Sequence, residues 1–243
     1  MSDLVYCYPR TLSGTLVKRY KRFFADIELV NGSVVTAHCP NTGPMTGICD
    51  PSSPVLITHS DNPKRKLKYT WEAVQMRDAA RTWVGANTNL PNKVIKGMLE
   101  RHEIAAIEGY DTVTPEVKYG VDGKSRIDFL LTGGDRQIYI EVKNTTWAQD
   151  DLALFPDTVT TRGQKHLREL TAIAREQGDR CRCVMLYFIN RGDCTRFAPG
   201  DERDPEYGQL LRDAVAAGVE IVPCRFQVSP EGLHYLGLAD VVL

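Results

Sequence analysis

No run in this sequence approaches the roughly 20 consecutive apolar residues that a membrane-spanning helix needs. The opening Met1–Arg10 carries Asp3 and no apolar stretch, so no secretory leader is expected. There is no G-x-S-x-G elbow, no phosphate-binding P-loop and no Rossmann glycine fingerprint. The commonest hydrolase, nucleotide-hydrolase and dinucleotide signatures are therefore excluded. No C-x-x-C or H-x-x-x-H pair occurs, and His38-Cys39 with Cys49 reads as structural rather than as a zinc site. Seven cysteines, an odd number at irregular spacing, point to reduced thiols and a cytoplasmic setting. Repeats, low-complexity segments and long linkers are missing too. With 42% apolar and 25% charged residues the chain is not disordered. Its 243 residues allow one large domain or two small ones.

Charge of one sign is lacking overall, at a formal net of −1, but it is unevenly spread. Residues 1–82 hold 11 Lys+Arg against 7 Asp+Glu, and residues 83–243 hold 19 against 24. Lys18, Arg19, Lys21 and Arg22 form one basic run with Tyr20, Phe23 and Phe24 interleaved; Lys64, Arg65, Lys66 and Lys68 form another. A basic module beside an acidic one suits a nucleic-acid backbone binder joined to a metal-binding unit. Solvated strand edges explain the same runs.

Two segments are expected, 1–82 and 83–243. The first reads as five short strands: Leu12–Tyr20, Phe23–Val30, Val34–His38, Val55–Ser60 and Lys66–Trp71. Asn31-Gly32 suits a type I′ hairpin turn. Such a set forms a small OB-like barrel or a small sandwich, and periodicity does not separate them. The second segment reads as helix Asn92–His102, strands Glu116–Tyr119, Arg126–Leu131 and Gln137–Lys143, and helix Gly163–Gln177. The nearly continuous apolar strand Cys181–Asn190, helix Pro205–Ala217 and strands Val219–Gln227 and Leu233–Leu236 follow. That order predicts a mixed sheet flanked by helices, an α/β (α+β) architecture.

Within this sheet Asp128, Glu141 and Lys143 interrupt otherwise apolar strands. Alternation puts Glu141 and Lys143 on one face, about 7 Å apart. If Gly134-Asp135 is a type II′ turn, Gly133 faces Arg136 and Asp128 falls opposite Glu141, with Cβ atoms about 5 Å apart. A Gly133-Gly134 turn would instead set Asp128 against Tyr139, on the same face. Two carboxylates so placed repel unless a cation lies between them. Hard oxygen ligands suit Mg²⁺ or Mn²⁺, and the lysine can orient a water or neutralise developing charge. These are the parts needed to hydrolyse a phosphodiester. Gln164 opens the next helix, where it reaches either a metal-bound water or phosphate or its own helix cap, with Arg162, Lys165 and His166 nearby.

Asp128 with Glu141-Val142-Lys143 resembles the PD-(D/E)xK nuclease motif, with Ile127 in place of the proline. Nearly the whole chain is similar to the bacterial sugar fermentation stimulation protein A family. The resemblance is carried by HCPNTGPMTG (38–47), NPKRKLKYTWE (62–72), NTNLPNKVI (87–95), SRIDFLL (125–131), YIEVKNTTW (139–147), FPDTVTTRGQKHL (155–167), YFINRGD (187–193) and DPEYG (204–208). It implies an N-terminal OB-like domain, a C-terminal PD-(D/E)xK nuclease-like domain on an αβββαβ core, and DNA as partner. It also implies metal ligation by Asp128 and Glu141, Lys143 as catalytic lysine, and Glu100 or Glu116 as accessory acid. The family name records a sugar-utilisation phenotype, so a non-catalytic DNA-binding regulator with an idle nuclease-like domain is the alternative. DNA contacts are expected from Lys18, Arg19, Lys21, Arg22, Lys64, Arg65, Lys66, Arg162 and Lys165. Neither a membrane nor a small-molecule cofactor is expected.

Overall fold

The computed structural model describes residues 3–120 and 125–243. Strand β1 (Asp3–Cys7) precedes β2 (Thr11–Tyr20), β3 (Phe24–Leu29), β4 (Val34–His38), β5 (Pro54–His59), β6 (Tyr69–Gln75) and β7 (Trp83–Gly85). Helix α1 (Leu90–Glu100) leads into β8 (Thr112–Tyr119), β9 (Ser125–Gly133) and β10 (Arg136–Thr145). Two short strands follow, β11 (Trp147–Gln149) and β12 (Leu152–Phe155), then helix α2 (Thr161–Gln177) and β13 (Cys181–Ile189). The chain ends with β14 (Arg196–Pro199), α3 (Pro205–Ala216), β15 (Val219–Val228), β16 (Gly232–Leu238) and β17 (Asp240–Val241). No helix among the described residues is long and apolar enough to cross a membrane.

Strands β2 to β6 form a barrel, closed where β4 meets β6 in parallel at Ala37–Tyr69 and His38–Thr70. Closure decides for the barrel over the sandwich. Alternation drives it: on β3, Ala25 and Ile27 point inward and are fully buried while Glu28 is exposed. Strand β6 is buried from Thr70 to Val74 because its outer side also packs against the neighbouring unit. Leu56 and Ala73 share a core with α1 there.

Three local expectations are corrected. The Asn31-Gly32 hairpin has a four-residue loop rather than a type I′ turn. The Leu29 carbonyl accepts from Gly32 N–H, and only Gly32 takes a positive φ, +80°. Strand β6 starts at Tyr69 rather than Lys66, because Asn62 Oδ1 accepts from Lys64 N–H and folds that stretch into a turn. Helix α1 begins two residues early, with Pro91 tolerated in its first turn, and stops before His102, whose φ is +55°. The sequence also reads as turn-like over Gly120–Lys124, of which 121–124 lie outside the described residues.

Seven strands, ordered β1-β16-β15-β13-β10-β9-β8, make the larger sheet. It is mixed: β10, β13 and β15 run parallel and the rest antiparallel. Sheet membership departs from the expected division at residue 82. Strand β1 pairs with β16 of this sheet, and β7 pairs with β6 of the barrel. Strand β13 explains its own apolar run. Val184, Leu186 and Phe188 face α1; Cys183, Met185 and Tyr187 face α2 and α3. Each such side chain contributes roughly 1.5–3 kcal/mol of burial. A small sheet, β11-β12-β14-β17, completes the unit; its strands of two to four residues are too short for periodicity to reveal.

The barrel and the large sheet meet at Gly85, whose N–H donates to the Asn190 carbonyl at 2.9 Å. A Cβ at Gly85 would lie 2.1–2.3 Å from the Asn190 amide group. Asn190 is itself buried, and its Nδ2 donates to Asn144 Oδ1 on β10. Gly85→Ala is therefore expected to lower stability by about 1–3 kcal/mol through overpacking, read from urea unfolding. An unchanged midpoint would show that this junction is loose.

Candidate metal centre and active site

Strand register delivers the acids. Gly134 takes φ +56° and Asp135 does not enter the left-handed region, as a type II′ turn requires. Gly133 pairs with Arg136, and the ladder runs to Phe129–Ile140. The next position in this register sets Asp128 against Glu141. The ladder stops there because the Asp128 carboxylate takes a backbone donor: Oδ2 accepts from Val142 N–H at 2.7 Å. Its Oδ1 accepts from Asn92 Nδ2, on the first turn of α1, at 2.7 Å.

Glu141 is held more tightly. It is 3% exposed, and Lys143 Nζ donates to its Oε1 at 2.7 Å. His166 Nδ1, from α2, also contacts that Oε1. Arg162 Nε donates to His166 Nε2 at 3.5 Å, which assigns the imidazole proton to Nδ1. With Oε1 doubly occupied, Glu141 Oε2 is buried and has no hydrogen-bond partner.

The two carboxyl groups diverge electrostatically. Burial, then the charge of Glu141, pushes Asp128 up to about 6, against the pull of Val142 N–H, Lys143 and Asn92. Burial also pushes Glu141 upward, but Lys143 and His166 more than offset it and hold the group below the usual carboxylate range. Tyr119 lies in the same field: burial, then Glu141 and Glu169, push its phenol upward, and its hydroxyl is unpartnered.

Among the described residues no three His, Cys, Asp or Glu side chains converge closely enough to cage an ion alone. An orphaned buried carboxylate oxygen beside a second acid nevertheless fits a hard divalent cation. Mg²⁺-like ions take one or two carboxylates and keep several waters. The site lies in the C-terminal half of β10, under the first turns of α2, where parallel sheets open their ligand crevices.

Other expected site residues fall elsewhere. Gln164 is 5% exposed, and its amide donates to Asp204 at 2.9 Å and 3.1 Å; neither the metal site nor its own helix end receives it. The α2 cap is Thr160, whose Oγ1 accepts from Gly163 N–H. Asp204 caps α3 through Tyr207 N–H, so Gln164 ties the two helix starts together. Glu100 is exposed and paired with Lys96, and Glu116 is exposed on β8; neither is brought to Asp128 or Glu141. Arg19 donates to the carbonyls of Asn41 and Gly43, both at 2.8 Å, and thereby braces the loop after β4. Arg65 donates to Thr70 Oγ1. Lys18, Lys21, Arg22, Lys64, Lys66, Arg162 and Lys165 are exposed. Asn92 and His166 are the contacts that strand patterning does not supply. His166 shares a stripe with Gly163, Leu167 and Leu170, and that spacing is the available signal.

Comparison with known proteins places this geometry. The family model described as "SfsA N-terminal OB domain" matches residues 17–86. The model described as "Sugar fermentation stimulation protein RE domain" matches residues 89–232. The chain belongs to the sugar fermentation stimulation protein family. A homologue from Picosynechococcus sp. is 64% identical over 97% of this chain and 92% of its own length. Another from Cyanothece sp. is 61% identical over the whole of both chains. SfsA from Pyrococcus furiosus, solved in complex with Ca²⁺, is 23% identical, covers 100% of both chains and superposes with a TM-score of 0.88, a match of fold.

The elevated Asp128 carboxyl sets a pH dependence. Its folded-state value lies above the ordinary 3.8, so ionisation disfavours the metal-free fold. This contribution to stability is fully present below about pH 4 and is lost as pH rises through about 6. Urea unfolding of metal-free protein should show a fall of about 2–3 kcal/mol from this group between pH 4 and pH 7. Asp128→Ala should lack that component; an identical decline in the variant would assign it to another group.

Proposed function

We propose that this protein is a divalent-metal-dependent phosphodiester hydrolase acting on DNA. The observation that carries the reading is the buried, unpartnered Glu141 Oε2 beside Asp128, with Lys143 fixed on the same carboxylate. Asp128 and Glu141 would hold Mg²⁺ or Mn²⁺, and the relative from Pyrococcus furiosus, with its bound Ca²⁺, supports a hard cation in this family. When bound, such an ion supplies Lewis-acid polarisation of a phosphate oxygen and a more acidic water.

The chain's own groups do the rest. Lys143, 12% exposed at its side chain and paired with Glu141, sets its ammonium group where negative charge would develop on the phosphoryl oxygens. His166 holds Glu141 in one rotamer, and Asn92 with Val142 N–H does so for Asp128. Such preorganisation avoids rearrangement at the moment of reaction. Exposed Lys18, Lys21 and Arg22 on the barrel, with Lys64, Lys66, Arg162 and Lys165, supply charge for the phosphate backbone. The ring of Tyr20 stacks on Phe24 at 5.4 Å with Lys18 above it, an arrangement that suits base stacking.

Plasmid and linear single-stranded DNA incubated with the protein in Mg²⁺ or Mn²⁺ should be cut. Asp128→Ala, Glu141→Ala and Lys143→Ala should each slow cutting about a hundredfold or more. Cleavage that survives in Asp128→Ala removes these residues from the mechanism. Binding without cleavage in either metal favours the regulator with an idle nuclease-like domain.

DNA affinity should drop steeply with salt. Replacing Lys18, Lys21 and Arg22 together by Ala should reduce the slope of log affinity against log salt by about 2–3. Arg19→Ala should lower stability with little change in that slope. An unchanged slope in the triple variant moves the DNA surface elsewhere.

A further inference from the structure

Glu72 has no part in the site above. It lies on β6, is 6% exposed, and has no ion-pair partner among the described residues. Thr58 Oγ1 donates to its Oε1 at 2.6 Å and Asn87 Nδ2 to its Oε2 at 2.8 Å. Each oxygen therefore keeps one lone pair. The carboxylate lines a chamber of about 560 Å³ between the barrel and the start of α1, together with His38, Thr58, His59, Arg65 and Asn87. Burial pushes the Glu72 carboxyl upward and outweighs the opposing pull of Thr58, Asn87, Arg65 and Lys93, which is the cost of placing an acid there without a directly paired cation. Arg65 and His38 line the same chamber, Arg65 donating to Thr70 Oγ1 two residues before Glu72 on β6, and Lys64 and Lys66 are exposed beside Arg65 on the loop after β5. The lining thus combines a hydrogen-bond-accepting carboxylate with one guanidinium.

We propose that this chamber holds one guanine nucleotide, its base edge against Glu72 and its phosphate toward Arg65. A carboxylate with two acceptors in a row matches two adjacent N–H donors. On the Watson–Crick edge only guanine, through N1–H and its 2-amino group, presents them. Adenine and cytosine pair one donor with an acceptor, and thymine sets its single N–H between two acceptors. The inference rests on the nucleic-acid reading above and deepens it: the barrel side selects the nucleotide, and the large sheet carries the metal site. The shared chemistry, a guanine with a phosphate, belongs equally to a free mononucleotide and to a residue within a strand.

The test measures equilibrium affinities of the full chain, without metal, for (dT)8, for (dT)4dG(dT)3, for (dT)4dA(dT)3, and for the free mononucleotides GMP and AMP. The guanine-bearing oligonucleotide should bind about tenfold or more tightly than the other two. Glu72→Gln lets the amide oxygen accept from Asn87 Nδ2 while the amide NH2 donates to Thr58 Oγ1, whose hydroxyl turns from donor to acceptor, and loses one acceptor. It should abolish that preference while leaving (dT)8 affinity and the melting temperature unchanged. Preference for GMP over AMP with no preference among oligonucleotides assigns the chamber to the free nucleotide. Oligonucleotides that bind without guanine preference, with GMP no better than AMP, overturn this inference alone, as does a preference that persists in Glu72→Gln. Failure of every oligonucleotide and both mononucleotides to bind overturns it together with the nucleic-acid reading.

Discussion

The site depends on how one buried carboxylate is held. Lys143 and His166 both engage Glu141 Oε1, one from the same strand two residues on, the other from the helix above. A carboxylate buried to this degree is unfavourable unless its charge is answered. Two contacts on one oxygen answer half of it and fix the side chain, and the other oxygen is left without a partner. Asp128 is treated in the opposite way, with one neutral donor on each oxygen and no cation bonded to it. The result is one acid kept ionised and one pushed toward protonation within the same pocket. Environments that drive two acids apart in this manner are a mark of functional sites.

The rest of the fold positions these groups. Strand β10 brings Glu141 and Lys143 to one face, and its hairpin with β9 sets Asp128 opposite. Helix α2 must start above the C-terminal half of β10 for His166 to reach Glu141. That start is pinned by Asp204, which accepts from Thr160 N–H, Gln164 Nε2 and Tyr207 N–H at once. Gly163 allows α2 and α3 to approach closely: a Cβ there would meet the Tyr207 ring at 3.1 Å. Helix α1 supplies Asn92 from its first turn, and α1 is packed against the barrel through Leu56 and Ala73. The barrel is therefore coupled mechanically to the Asp128 carboxylate through one helix.

Much of this was legible in the residues. Period-two alternation is enough to put Asp128, Glu141 and Lys143 on one face with either turn, because a strand offers only two faces; the Gly133–Arg136 pairing then selects the register that sets Asp128 opposite Glu141. The apolar run of β13 predicted a strand covered on both sides. Gln164 misled because its place at a helix N-terminus is equally compatible with reaching the sheet or the adjacent helix; Asp204, forty residues away, decides. Glu100 misled because α1 covers the opposite face of the sheet from α2, and only its first turn reaches the acids. The partners of Asn92 and His166 stayed hidden for a related reason, although the sequence does set His166 near the site. Each is an ordinary helix residue until tertiary packing names its partner, and local pattern carries no such information.

Arg19 and Arg65 show why charge alone overstates a binding surface. Both sit in basic runs flanked by lysines, yet each guanidinium has found a fixed acceptor in the barrel. Arg19 closes the loop after β4 onto β2, and its Nε is buried without a partner. A planar group with five donors suits bracing of this kind, whereas the lysines beside it, with flexible stems and compact charge, remain in solvent. A run such as Lys18–Arg22 therefore divides by chemistry. The guanidinium of Arg19 builds the loop, and the ammonium groups of Lys18 and Lys21 stand outside it, where a polyanion would meet them. The same division at Lys64–Lys66 puts Arg65 at the wall of the Glu72 chamber and leaves its neighbours exposed. Positions of fixed and solvated charge on this barrel are thus set by the hydrogen-bonding needs of its loops, and the charge left at the surface is what those needs leave over.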